Sequence, residues 1–227
     1  MSVRAVIFDL DGTLLNTLED LADAGNATLK AFGYPVHPVE SYKQFVGDGV
    51  AMLVKRAMPP EHMDAYPRVL ERMREEYAKH LDRKTKPYPG IPQLLKALSG
   101  RGIALCVLSN KPEQFCKTNM TQFFGGVRWA AIVGESAAIR RKPDPEGALA
   151  IAKRLGMMPE EFLFVGDSPM DVKCGLDAGM TPVGVTWGFR GRDTLEEAGG
   201  KLFIDKPEEL MGLLVNCTRD KGCMLRA

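Results

Sequence analysis

The stretch Val6-Ile7-Phe8-Asp9-Leu10-Asp11-Gly12-Thr13-Leu14-Leu15, near the amino terminus, is the segment from which the fold can be inferred. Its apolar first part predicts a strand that is buried on both faces of a parallel sheet. Two carboxylates, Asp9 and Asp11, follow at the carboxyl end of this strand, where ligands bind in open α/β sheets. Gly12 then permits a tight turn. The sequence therefore predicts a functional site around these two acids.

Asp9 and Asp11 are close enough to face one site, where their like charges repel unless a cation or a shared proton compensates. A divalent cation is the favoured compensation, because Mg²⁺ binds one or two carboxylates together with waters and substrate phosphate. A solvated acidic turn is the alternative. Asp-x-Asp-Gly also opens a calcium loop, but the later acidic ligand is missing at the expected spacing.

The composition limits the possible classes of function. The 227 residues suffice for one domain or two small ones, and 30 basic and 29 acidic side chains leave a formal net charge of +1. This balance does not indicate nucleic acid as a partner, and we find no apolar stretch long enough for a membrane span. With no signal-peptide pattern, we expect a cytoplasmic protein, either a monomer or a homodimer.

The sequence gives little support to sulfur or imidazole chemistry. The five cysteines form no C-x-x-C pair, and the three histidines lie between Leu14 and Lys86, away from the predicted strand ends. This pattern argues against a disulfide framework, a histidine zinc site and a Ser-His-Asp triad. We expect reduced thiols, with Cys106 as a small core residue.

The apolar pattern changes from strand to helix after Thr13. Apolar residues recur at helical spacing from Leu14 to Phe32, and two further stripes precede the Pro-Tyr-Pro-Gly segment at 87–90. Helices and strands then alternate, as in a doubly wound sheet. We predict an α/β fold with three parts: a Rossmann-like, doubly wound, mainly parallel sheet core at 1–13 and 87–215, a helical domain at 14–86 inserted after the first strand, and a carboxyl-terminal tail at 216–227.

Two later segments place phosphate-binding chemistry at predicted strand ends. Ser109 and the backbone N–H groups around it precede a helix and suit a phosphate oxygen, although Ser109 or Asn110 could simply cap that helix. Lys142 precedes another helix and could neutralise both a phosphate and a carboxylate. The alternative is that Lys142 belongs, with Arg140 and Arg141, to a solvated basic turn.

A third segment, Val165-Gly166-Asp167-Ser168-Pro169-Met170-Asp171, places two further acids after a predicted strand. Asp167 is a candidate for the metal site. Asp171 also fits a capping box, in which its carboxylate accepts the N–H of Ser168, and both interpretations of Asp171 stay open.

These segments resemble, in order, the four motifs of the haloacid dehalogenase superfamily. They are Phe8–Leu14, Ser109, the Lys-Pro-Asp-Pro that begins at Lys142, and Val165–Asp171. The resemblance implies Asp9 as nucleophile, Asp11 as general acid and base, and Ser109 and Lys142 as groups that hold the phosphoryl group.

The same resemblance implies a ligand set. Mg²⁺ would be bound by Asp9, Asp11 and Asp167, with Asp171 supporting the metal waters or the lysine. Thr13, Ser109, Asn110 and Lys142 would contact the phosphate.

The helical domain resembles the cap of this superfamily. Phe45–Val50 and Thr186–Phe189 resemble segments of its phosphoglycolate phosphatases, which implies substrate contacts at Gly47, Asp48 and Gly49, although an ordinary turn is the local alternative. The implied activity is hydrolysis of a small-molecule phosphate ester, above all 2-phosphoglycolate, through an aspartyl-phosphate. A sugar-phosphate phosphotransferase or mutase, and a non-catalytic phosphoacceptor, are the alternatives.

Overall fold

The structure is a computed structural model and describes residues 2–219. Eight strands lie in this part of the chain: β1 Ala5–Phe8, β2 Leu15–Asn16, β3 Lys86–Pro87, β4 Ala104–Pro112, β5 Trp129–Glu135, β6 Phe162–Gly166, β7 Thr181–Val185 and β8 Phe203–Ile204.

Ten α-helices lie in the same residues: α1 Leu18–Ala31, α2 Tyr42–Phe45, α3 Val50–Ala57, α4 Tyr66–His80, α5 Ile91–Gly100, α6 Glu113–Phe124, α7 Glu146–Leu155, α8 Pro169–Asp177, α9 Arg192–Glu197 and α10 Leu210–Arg219. Four short 3₁₀ helices join them, at Val39–Ser41, Pro60–Ala65, Pro159–Glu161 and Pro207–Glu209. Within residues 2–219, every helix is too short or too polar to cross a membrane.

Six strands form one sheet in the order β5-β4-β1-β6-β7-β8, and every neighbouring pair is parallel. The first strand lies inside this sheet, where Ile7 pairs with Cys106 of β4 on one side and with Phe164 of β6 on the other. Because all strands run the same way, the segments that follow β1, β4 and β6 meet at one edge. The predicted doubly wound α/β fold is confirmed.

The two faces of the sheet bury separate apolar clusters. Val6 and Phe8 face α5, α6 and α10, whereas Ala5 and Ile7 face α7 and α8. This alternation follows from the two-residue period of a strand, and it explains why β1 has no polar residue. Cys106 is fully buried in the second cluster, as predicted for a core residue.

The inserted helices α1 to α4 enclose an apolar cluster of their own, with Leu21, Tyr42, Leu53 and Met73 among its members. We call this helical unit the cap.

The junction between cap and core differs from the predicted boundary at residue 14. Leu14 and Leu15 belong to the core cluster of the sheet, and the first cap helix begins only at Leu18. The physical reason is a two-stranded antiparallel ribbon, in which β2 pairs with β3 and Leu15 lies opposite Pro87. The apolar spacing of Leu14 therefore belongs to the core and not to the first helix of the cap.

The predicted tail at 216–227 begins within α10, which continues to Arg219. Residues 220–227 lie outside the described residues.

A buried carboxylate ties the cap to this ribbon. Asp20, in the first turn of α1, is fully buried and accepts hydrogen bonds from the N–H of Lys84 (3.0 and 3.1 Å), from the N–H of Thr85 (2.8 Å) and from the Thr85 hydroxyl (2.7 Å). The chain therefore enters and leaves the cap at one hydrogen-bonded point.

Replacing Asp20 with Ala leaves these buried donors without an acceptor, so we expect a loss of about 2–4 kcal/mol in the free energy of unfolding. Urea unfolding followed by circular dichroism measures it. Glu19→Ala is the matched control, because the Glu19 side chain is 60% exposed and contacts only Lys84 at 3.7 Å, and its cost should stay within about 0.5 kcal/mol. Equal losses in the two variants would contradict the anchoring role of Asp20.

Candidate active site

One pocket lies between the carboxyl edge of the sheet and the cap, with a cavity volume of about 50 Å³. Asp9 and Asp11 line it from the end of β1, Ser109 from β4 and Asp167 from the end of β6. The cap contributes Gly47, Gly49, Val50 and Tyr77, among others. Residues that are more than 150 positions apart in the sequence thus converge on one pocket.

Lys142 lies between two carboxylates beneath this pocket. Its Nζ is 2.8 Å from Asp9 Oδ1 and donates to Asp171 Oδ1 at 2.6 Å. Burial alone would lower the pKa of Lys142, but the charges of Asp171 and Asp9 raise it above its ordinary value. The ammonium group therefore stays charged and pairs with both acids, which excludes the solvated basic turn for Lys142.

Asp9 is buried, and burial together with the charge of Asp171 raises its pKa to about 8, against the opposing effect of Lys142. Its Oδ1 also accepts the N–H of Leu10 at 2.7 Å. One lysine does not fully compensate this carboxylate, so its ionised form needs further positive charge.

Asp167 is held by two hydrogen bonds, from the Thr13 hydroxyl at 3.1 Å and from the Phe189 N–H at 2.7 Å. Burial and the charge of Asp171 nevertheless raise the pKa of Asp167 to about 7. Glycine is required at two neighbouring positions, because a Cβ on Gly12 would lie 2.3 Å from Asp167 Oδ2 and a Cβ on Gly188 would lie 2.2 Å from Asp167 Cβ.

The donor set fits a divalent cation. Oxygens of Asp9, Asp167 and Asp171 lie within 4.8 Å of one another. Asp171 is already engaged, since its Oδ1 accepts from Lys142 and its Oδ2 accepts from the N–H and hydroxyl of Ser168. Asp9 and Asp167 remain as under-compensated carboxylates, the arrangement that suits Mg²⁺ with waters and a substrate phosphate. The capping box predicted for Asp171 is present.

The Asp11 carboxylate pairs with a lysine of its own, and metal binding by Asp11 stays a prediction. Its Oδ1 accepts from Lys111 Nζ at 2.8 Å, and its carboxylate is not part of the acidic cluster. The same ammonium donates to the hydroxyl of Tyr77 on cap helix α4. Burial alone would lower the pKa of Lys111, but Asp11 raises it above its ordinary value, so this pair is ionic.

The predicted phosphate contacts divide into two groups. Ser109 lines the pocket, and Lys142 reaches it through Asp9. The hydroxyl of Thr13 donates a hydrogen bond to Asp167. The side-chain amide of Asn110 forms hydrogen bonds with protein backbone. Its Nδ2 donates to the carbonyls of Gly47 (3.0 Å) and Lys142 (3.0 Å), and its Oδ1 accepts the N–H of Lys142 (2.8 Å). The Asn110 side chain thus positions Lys142 and the cap loop, and a phosphate contact of Asn110 stays a prediction.

The cap loop 47–49 is held against the core. Gly47 and Gly49 line the pocket, but the Asp48 carboxylate pairs with Arg56 on α3 and its carbonyl accepts from Arg141 at 3.1 Å. Asp48 is therefore engaged in holding the loop, in contrast to the substrate contact predicted from sequence.

Sequence reasoning missed several pocket residues, among them Lys111, Arg190 and Tyr77. Lys111 belongs to the Ser109 motif, and Arg190 follows directly on the segment Thr186–Phe189, so the signals lay one residue beyond those used. Tyr77 carried no signal of its own, because it reads as one more apolar position of a cap helix.

The sequence and fold were compared with known proteins. A profile of the haloacid dehalogenase-like hydrolases matches residues 6–185. A phosphoglycolate phosphatase of Pseudomonas putida is 33% identical over 220 residues, which cover 94% of this chain and 79% of that protein. An N-acetylmuramic acid 6-phosphate phosphatase of Pseudomonas aeruginosa is also 33% identical over 220 residues, which cover 94% of this chain and 96% of that protein.

A crystal structure from Lactobacillus delbrueckii subsp. bulgaricus superposes with a TM-score of 0.88 at 32% identity, over 94% of this chain and 99% of that one. The family profile covers most of the chain, and the two curated relatives cover nearly all of it. The chain therefore belongs to the haloacid dehalogenase-like hydrolase family.

Proposed function

We propose that this chain is a Mg²⁺-dependent phosphatase that hydrolyses a small phosphate monoester, 2-phosphoglycolate above others, through an aspartyl-phosphate intermediate. The observation that carries the proposal is the Asp9–Lys142 contact of 2.8 Å, in a pocket that Asp11, Ser109 and Asp167 also line. The curated relatives named above are phosphatases, and both named substrates are phosphate monoesters that carry a carboxylate.

In the first step, a carboxylate oxygen of Asp9 attacks phosphorus, and the bond from phosphorus to the ester oxygen breaks. Asp11 gives its proton to the departing alkoxide. Lys142 and Ser109 offset the charge on the phosphoryl oxygens.

In the second step, Asp11 takes a proton from water as the water oxygen attacks phosphorus, and the bond between phosphorus and Asp9 breaks. Lys111 Nζ lies 2.8 Å from Asp11 Oδ1 and holds this carboxylate in place. The two steps release the alcohol and inorganic phosphate and restore both acids.

A Mg²⁺ ion held by Asp9 and Asp167 would screen the charge between the nucleophile and the phosphate. Asp171 supports the site through Lys142, since its own oxygens are engaged.

The cap favours hydrolysis of a small ester. Cap residues, among them Gly47, Gly49, Val50 and Tyr77, line the pocket above the acidic cluster and narrow the space beside Asp9. Val50, at the start of α3, lines the pocket with an uncharged side chain. Sugar-phosphate mutases of similar architecture carry a basic residue in this loop, which binds a second phosphate. Action on a small molecule, cytoplasmic location and a monomeric or homodimeric state remain predictions.

Asp9→Asn removes the nucleophile, so we expect release of phosphate from 2-phosphoglycolate in Mg²⁺ to fall at least about 1,000-fold. The circular dichroism spectrum should stay that of the folded protein. Asp23→Asn on cap helix α1 is the control and should keep the rate within about twofold, because its partner is the surface residue Lys84. A folded Asp9→Asn protein that retains substantial turnover would refute the nucleophile assignment.

Asp11→Asn removes the proton donor and acceptor, so steady-state turnover should fall by about 10²- to 10⁴-fold. With p-nitrophenyl phosphate, whose leaving group needs no proton, we expect a stoichiometric burst of p-nitrophenol in stopped flow, followed by slow turnover. An equal loss of the burst and of turnover for all leaving groups would contradict the acid role.

Mg²⁺ should stabilise the folded protein, by about 2.7 kcal/mol at a concentration 100 times its Kd, and this raises Tm in differential scanning calorimetry. Asp167→Asn should abolish the shift, whereas Asp177→Asn, at the exposed end of α8, should preserve it. In EDTA at pH 8 the Asp167→Asn protein should be at least as stable as wild type, because the folded-state pKa of Asp167, about 7, makes its buried charge unfavourable there. An unchanged Mg²⁺ shift in the Asp167→Asn variant would rule out this metal site.

A further inference from the structure

Arg190 faces the pocket from the core side. It follows the segment after β7, and the preceding residue, Phe189, donates its N–H to Asp167. The backbone at this point is thereby held against the acidic cluster. Arg190 lines the same pocket as Asp9 and Ser109, but no step of the proposed reaction uses it.

The guanidinium of Arg190 has only part of its hydrogen-bonding capacity engaged. Its Nη2 donates to the carbonyl of Val46 at 2.8 Å and, at the longer distance of 3.5 Å, to that of Gln44. Its Nη1 is buried and has no hydrogen-bond partner among the described side chains and backbone. Buried donors of a charged group are costly when unpaired and are therefore rare in folded proteins.

The charge of Arg190 is also uncompensated at close range. Within residues 2–219 no carboxylate lies within 4.0 Å of its guanidinium, whereas Asp48 pairs with Arg56 and Asp11 pairs with Lys111. Burial lowers the pKa of Arg190 below its ordinary value, against the partial opposition of Asp167. Arg190 thus lines the pocket as a cation with an unpaired donor and, within residues 2–219, no carboxylate in ion-pair contact.

A planar guanidinium is the protein group best matched to a carboxylate or a phosphate. The reacting phosphate is assigned to Lys142 and Ser109, so a second anionic group on the substrate would satisfy Arg190. In the proposed substrate, 2-phosphoglycolate, that second group is a carboxylate.

We infer that Arg190 is the specificity residue of this enzyme and that its guanidinium binds the carboxylate of a short phosphorylated carboxylic acid. The inference rests on the proposed phosphatase activity and assigns a residue to the second anionic group of the proposed substrate. Since Nη2 of the same guanidinium holds the cap loop at Val46, carboxylate binding and cap closure share one residue.

The test compares two substrates that differ in the second group alone: 2-phosphoglycolate and 2-hydroxyethyl phosphate. Wild-type enzyme should show a higher kcat/KM for 2-phosphoglycolate. Arg190→Met should lower that kcat/KM by about 10- to 100-fold, as for loss of a hydrogen bond to a charged group, and should change the value for 2-hydroxyethyl phosphate less than about threefold.

Three further variants separate charge from folding. Arg190→Gln removes the charge but keeps an N–H donor for the carbonyl of Val46. It replaces Arg190→Met if the Met variant does not fold. The Gln variant should also lose the preference for 2-phosphoglycolate. Arg190→Lys should retain part of it. Arg192→Met is the matched control, because Arg192 is exposed and pairs with Glu196, and its two kcat/KM values should match wild type.

An equal loss for the two substrates would show that Arg190 acts only on the cap loop and would overturn the inference. So would a wild-type enzyme that hydrolyses both esters without preference, or one whose preference survives in the Met and Gln variants. A wild-type protein that hydrolyses neither these esters nor p-nitrophenyl phosphate would instead refute the proposed phosphatase activity.

Discussion

The buried ammonium of Lys142, shared by Asp9 and Asp171, is the interaction on which the site depends. Burial and the charge of Asp171 raise the pKa of Asp9, and the ammonium of Lys142 opposes this effect. The backbone of Lys142 is held by the Asn110 amide, and Asp171 is held by the capping box of α8. The charge balance and the position of the Asp9 carboxylate are thus set by the same few contacts.

Hydrogen bonds from core side chains to oxygen atoms of the cap join the cap to the acidic site. Asn110 reaches the carbonyl of Gly47, Arg190 that of Val46, and Lys111 the hydroxyl of Tyr77. Each of these core residues also neighbours the chemistry, through Lys142, Asp167 or Asp11. A closed cap therefore contacts the same residues that hold the reacting groups, and closure also excludes bulk water from the pocket.

The pocket has two ends that are lined by different residues. The phosphate end, at Asp9, Lys142 and Ser109, belongs to the proposed chemistry common to the family. The far end, at Arg190 and the cap loop, is where substrates of different shape would be distinguished. Since a fold supports many reactions through the residues placed on it, substrate choice is sought at this second end.

The sequence by itself determined the parallel sheet, the inserted helical domain and the four acidic or basic segments, because strand periodicity and strand-end polarity are local signals. It did not reveal that Asn110 and Asp48 bond to protein, that Leu14 packs in the core, or that Arg190 carries an unpaired donor. Those facts depend on which side chains meet across long separations in the chain. Hydrogen-bond partners and charge compensation are properties of that packing, and only the tertiary structure decides them.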